Sequence, residues 1–161
     1  MVAGDEVVLR RRAELADPTG RVRKNAYQAA RSLDLVAAAD LVEAAERIAA
    51  EQAALEIERT LREAKVEATL CAVVAGASRD APLESILRSH ALAHAAEGRL
   101  YQAALLKGAE ACGLEAVALR KQLLSEEREL RKRADGLRRQ LGPPWAEDQK
   151  LAALAAWVAL R

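Results

Sequence analysis

Apolar residues recur at every third or fourth position through most of the chain, and the stretch from Leu83 to Cys112 stands at its centre. Leu83, Leu87, His90, His94, Glu97, Tyr101, Leu105, Gly108 and Cys112 share one stripe of a helix. The ends of that stripe are apolar. Its middle holds both histidines of the chain and a glutamate. Groups so polar are costly to bury unless they are hydrogen-bonded, paired or bound to a metal. Two readings stay open: a face solvated or satisfied by its neighbours, or a metal or polar site.

The same spacing places the other elements. Residues 5–16 predict a short helix with Val8 and Leu15 on one side, and Asp17-Pro18-Thr19-Gly20 reads as a turn. No Gly or Pro occurs from Arg21 to Ala75. Within that run Ala37, Leu41, Ala44, Ile48 and Leu55 share one face, and Ile57, Leu61, Ala64, Ala68, Cys71 and Ala75 share another. Either the helix breaks near residues 50–56 or one long helix changes its buried face; the spacing predicts two helices, 22–50 and 52–76. A loop over 76–82 leads to a helix that starts at Asp80 or Pro82 and stops at Gly113. Gly98 and Gly108 lie inside it. Each costs a helix about 1 kcal/mol relative to Ala, and close packing is the expected reason for both. Ala116, Arg120, Leu123, Glu127, Leu130, Ala134, Leu137 and Leu141 predict a helix over 114–141, ended by Gly142-Pro143-Pro144. Trp145 to Arg161 predicts a last helix with Leu151, Leu154, Ala155 and Val158 on one side and Trp157 nearby.

Composition agrees with helix throughout. Among 161 residues 52% are hydrophobic, 30% charged and only 2% aromatic, with no Phe and 38 alanines. This predicts an all-α fold in one domain over 1–161: a four-helix up-and-down bundle over 22–141, flanked by short helices at 5–16 and 145–161. The net charge of +1 gives no bulk attraction to nucleic acid or anionic lipid. No charge-free run of 18 apolar residues occurs, so no spanning helix is expected, and the first residues do not read as a secretion signal. Cys71 and Cys112 fall on apolar stripes and read as small buried hydrophobes rather than disulfide partners. A cytoplasmic location fits both features.

Folding the four expected helices up and down brings carboxylates level with the histidines. Glu63 and Glu67 fall opposite His94 and Glu97, Glu127 lies within a turn of that level, and Asp40 and Glu43 meet it from the first helix. Oxygen and imidazole donors of this kind suit iron, manganese or zinc, and di-iron bundles hold such residues in their cores. The paired Glu-x-x-His of those bundles is missing, because His94-Ala95-Ala96-Glu97 runs in the reverse order.

The run from His90 to Leu137 resembles the second half of small ferritin-like proteins, nearest to the stress-associated YciE/YciF type. The matching residues are Glu97 and Tyr101, Gly113, and Glu126-Glu127. The resemblance covers about a third of the chain. It implies a four-helix bundle with carboxylates of the third and fourth helices in a metal site, and no histidine after residue 94 is present to complete a two-metal set.

Other patterns carry less. Arg10-Arg11-Arg12, Arg131-Lys132-Arg133 and Arg138-Arg139 form basic clusters without accompanying aromatics, so a solvated face is the better reading than a nucleic-acid site. Tyr101 reads as a core tyrosine with a satisfied hydroxyl. The chain has no phosphate-binding glycine loop, no Ser/His/Asp or Cys/His arrangement and no CxxC, so no catalytic residue is assigned. The leading expectation is a bundle binding a transition metal such as iron, with an oxidative or stress-protective role. Its ligands would be His94, Glu97 and Glu127, with Glu63 or Glu67 opposite and His90 supporting. The rival is a non-enzymatic structural or interaction protein whose metal site has decayed and which acts through self-assembly. Both readings expect a homo-oligomer, a two-fold dimer by default, helped by the apolar surplus of residues 145–161. Which small-molecule substrate, if any, goes with either reading is not given by the sequence.

Overall fold

The structure, a computed structural model, describes residues 1–4, 6–76 and 80–161. In chain order it contains strands β1 (Val2–Ala3) and β2 (Glu6–Val7), helices α1 (Ala26–Ala30) and α2 (Leu35–Ala64), and strand β3 (Leu70–Ala75). Helices α3 (Leu83–Arg88) and α4 (His90–Ala111) follow, then strand β4 (Glu115–Arg120) and helices α5 (Lys121–Glu126), α6 (Arg128–Gly136), α7 (Arg138–Leu141) and α8 (Glu147–Ala159). The protein is mainly helical, as composition predicts, with two small sheets. Residues 77–79 of the expected 76–82 loop lie outside the described residues. No helix among the described residues is long and apolar enough to cross a membrane.

The run from Arg21 to Ala75 contains one long helix instead of two. Asp34 starts it, its side chain accepting the N–H groups of Val36 and Ala37, both at 3.0 Å. The buried stripe is Ala38, Val42, Ala45, Ala49 and Ala53. It lies one residue beyond the expected Ala37–Leu55 stripe and continues in step through Ile57 and Leu61, so the helix needs neither a break nor a change of face. Leu55, expected in the core, is exposed. The helix ends where Lys65 adopts a left-handed conformation (φ 53°) and its N–H bonds Leu61 O, a stop made without the usual glycine.

Two segments expected as helix form strands. β3 and β4 pair in parallel, in register from Leu70 opposite Glu115 to Ala75 opposite Arg120, with α3 and α4 as the crossover. The four long helices of the expected bundle are therefore not all formed, since 52–76 ends in β3 and 114–141 begins with β4. The short helix expected over 5–16 is also replaced over 6–16, and Asp5 lies outside the described residues. Val2 and Ala3 pair with Val7 and Glu6 in an antiparallel hairpin. Beyond it Arg10 reaches the end of α7, donating to the carbonyls of Leu141 at 2.9 Å, Gly142 at 3.0 Å, and Pro144. A guanidinium there satisfies carbonyls that a helix C-terminus leaves without partners.

Two cores result. One joins α1, α2, α3 and α4 through an alanine seam that includes Ala38, Ala45, Ala49, Ala93, Ala96 and Ala104. The other joins α5, α6 and α8 around Leu124, Leu130, Trp145, Leu154 and Trp157, with Ala72, Val74 and Leu119 of the sheet packed against it. The last helix forms as expected, but Leu151, Leu154 and Trp157 are buried inside its own chain. The apolar surplus assigned to subunit contacts is thus used internally, except for Leu160, which is exposed.

Candidate functional site

The polar middle of the 83–112 stripe is organised by Glu97. The chain bends at Ser89, whose hydroxyl accepts the Leu92 N–H at the start of α4. The face α4 buries is Ala93, Ala96, Glu97, Leu100, Ala104, Gly108 and Ala109, so His90 and His94 fall outside it and are exposed. Glu97 is only 8% exposed, and its Oε1 accepts the Gln28 N–H at 3.2 Å, within the first turn of α1. Asn25, the residue before α1, gives no side-chain cap. Glu97 therefore caps α1 from another helix, where N–H groups and the helix dipole favour a negative charge. Burial nonetheless pushes its carboxyl above the usual range, against the lowering effect of the Gln28, Tyr27 and Ala26 N–H groups and of nearby His94. Its Oε2 is buried without a hydrogen-bond partner. Tyr101, one turn on, donates to Lys24 O at 2.7 Å just before α1, as the core-tyrosine reading expects.

The remaining expected ligands are spread over the molecule. Glu63 is exposed and paired with Arg11 at 3.0 Å. Glu67 is exposed in the turn between α2 and β3. Glu127 is half-buried and paired with Arg161 at 2.9 Å, and Leu123 beside it on the expected apolar stripe is exposed. The register that set these residues level with Glu97 assumed four helices, and β3 and β4 remove it. Among the described residues, no group of three or more His, Cys, Asp or Glu side chains could hold a metal ion.

A second place carries more space. Beyond the alanine seam, α2 and the sheet separate and leave a cavity of about 610 Å³. Ala53 and Leu105 stand at its inner end, where Gly108 brings α4 so close that a Cβ there would lie 2.7 Å from Ala53 Cβ and 2.7 Å from Ala54 N. Ile57 and Leu61 of α2 form one wall, and Leu70, Cys71 and Ala72 of β3 another. The β1–β2 strands, Ala152, Ala153 and Ala156 of α8, and Leu160 just after it complete the lining. The lining is mainly apolar. Its charged lining groups are the Met1 ammonium, which donates to Leu9 O at 2.7 Å, together with Arg10, Arg11, Glu56 and Glu67; Arg11 stands with Nη2 2.8 Å from Glu56 and Nη1 3.0 Å from Glu63. Arg59 stands 3.8 Å from the other oxygen of Glu56, so two cations balance two carboxylates. The Thr60 hydroxyl donates to Glu56 O at 2.6 Å, which leaves its oxygen as an acceptor in the cavity wall. Burial raises the Cys71 thiol above its ordinary value, and it stays protonated near neutral pH.

Sequence reasoning missed this cavity because it read β3 as helix. The available signal was the stripe Ala53, Ile57, Leu61 running on past residue 50, together with the β-branched cluster Thr69, Val73, Val74. No protein-family model matches the chain, and neither a curated protein nor a solved structure matches it.

Proposed function

We propose that the protein binds a neutral, largely apolar small molecule in the cavity between α2, β3, α8 and the N-terminal hairpin. The observation that carries this reading is the cavity itself. Its volume of about 610 Å³ falls within the range of roughly 300–1,000 Å³ typical of small-molecule sites, and a mainly apolar lining with few polar groups is their usual character. The pairing of Arg11 with Glu56 and Glu63 sets the ligand chemistry beside it. A carboxylate or ammonium ligand would have to displace a partner of that pair, whereas a ligand hydroxyl can donate to the Thr60 oxygen without disturbing it.

The test is fluorescence titration with N-phenyl-1-naphthylamine, a neutral apolar probe. Bound probe gains intensity and shifts to shorter wavelength. Ala156→Trp fills the cavity from α8 and should abolish the change while the circular dichroism spectrum is kept. A probe signal of equal size in the wild type and in Ala156→Trp would show that the probe sits elsewhere and would end this reading.

A further inference from the structure

The sheet is a parallel pair, β3 and β4, and no described strand pairs with the outer edge of β4. Parallel sheets are ordinarily larger than two strands, and an open edge presents backbone groups ready to pair with another chain. Proteins blunt such edges with proline, a charge or a bulge. The centre of β4, Ala116-Val117-Ala118-Leu119, has none of these. We propose that β4 is the interface of a two-fold homodimer, in which it pairs antiparallel with β4 of a second copy to give one sheet in the order β3-β4-β4-β3.

The hydrogen bonds fix the register. The Glu115 N–H donates to Thr69 O at 2.9 Å, on the side of β3. In a parallel ladder alternate residues direct both backbone groups to the same neighbour, so Glu115, Val117 and Leu119 face β3 and Ala116, Ala118 and Arg120 present theirs outward. Antiparallel pairing must set outward residues opposite outward residues. The register that uses all three sets Ala118 opposite its own counterpart and Ala116 opposite Arg120. Val117 then meets Leu119, and Glu115 meets Lys121, which follows the extended Arg120 as the first residue of α5. Pairing of opposite charges at both ends and of apolar side chains between them is what cross-strand neighbours favour. Glu115, Ala118, Arg120 and Lys121 are exposed in the single chain, and neither Glu115 nor Lys121 takes part in a described ion pair. A second copy therefore supplies the partner charges that this strand lacks. The interface is two-fold and closes on itself, which suits a dimer rather than a filament.

Light scattering coupled to size exclusion over a wide concentration range should give twice 17.4 kDa. Ala118→Pro removes an N–H that points away from β3, so it should yield a folded monomer. Glu115→Lys and Lys121→Glu, each placing like charges opposite one another at both ends, should each raise the dimer dissociation constant about tenfold. The double variant Glu115→Lys/Lys121→Glu should restore it, an outcome a merely destabilised strand would not give. A monomer at every concentration overturns the proposal. So does a dimer that Ala118→Pro and both single charge changes leave intact. A double variant no tighter than the single ones overturns the register.

Discussion

The two halves of the molecule are built from the same long helices and solve the packing problem differently. Between the α1 side of α2 and the first half of α4, alanines meet alanines, backbones approach closely, and Glu97, the one buried carboxylate among the described residues, caps a neighbouring helix. Past Gly108 the sheet packs on α4 and, through β3, on α8, and a cavity remains between α2, β3 and α8. Small residues close one half, and inserting strands opens the other. Space inside this protein is thus set by whether helix packs on helix or on sheet, not by how hydrophobic each segment is.

The largest expected effect tests the closure point. Gly108→Ala drives a Cβ into Ala53 and the backbone at Ala54, so α2 and α4 must separate. Overpacking of this kind costs about 3 kcal/mol, read as a lower midpoint in urea unfolding. Gly98, ten residues earlier on the same helix, sharpens the contrast. Close packing was expected to explain it too, but a Cβ there meets nothing within 4 Å. Gly98→Ala should stabilise the protein by about 0.5–1 kcal/mol through helix propensity alone.

Glu97 gives the next effect. Glu97→Ala removes the cap of α1 and should cost about 1–2 kcal/mol. Glu97→Gln keeps an oxygen for the Gln28 N–H and removes the charge. Because burial raises the carboxyl pKa in the fold, the contribution of Glu97 is fully present below the ordinary carboxylate pKa and is lost as pH rises through the folded value. The wild type and Glu97→Gln should therefore be nearest in stability below about pH 4. The variant should gain on the wild type as pH rises from there toward 7. A constant difference across that window would mean that Glu97 does not titrate differently in the fold. The smallest effect belongs to Glu127. Its pair with Arg161 lies at the surface, so Glu127→Ala should change stability by less than about 1 kcal/mol.

Much of the helical half was legible in the sequence, because long periodic segments with caps leave strong signals. The stop at Gly113, with φ 76°, follows from the need for a left-handed residue. The helix at 145–161 follows from its spacing. Glu97 was legible as a buried polar group that needed a partner, but the partner was not. It comes from a five-residue helix too short to show periodicity, 69 residues away in sequence. Alanine explains the other losses. A stripe of alanines is hard to tell from its flanks, so the buried face of α2 was read one residue early and the helix was divided. In β3 and β4, short runs such as Cys71-Ala72-Val73-Val74 and Ala116-Val117-Ala118-Leu119 fit both periods, and the alanine-rich surroundings pulled them toward helix.

The two cysteines give the most direct measurement of the open half. Cys71 lines the cavity and Cys112, at the end of α4, does not, while both are free and half-buried. Alkylation by iodoacetamide, followed residue by residue by peptide mass spectrometry with and without N-phenyl-1-naphthylamine, compares them within one molecule. The account predicts that the probe slows alkylation of Cys71 several-fold and leaves Cys112 unchanged. Equal rates at Cys71 with and without saturating probe, or equal slowing at both cysteines, would contradict it.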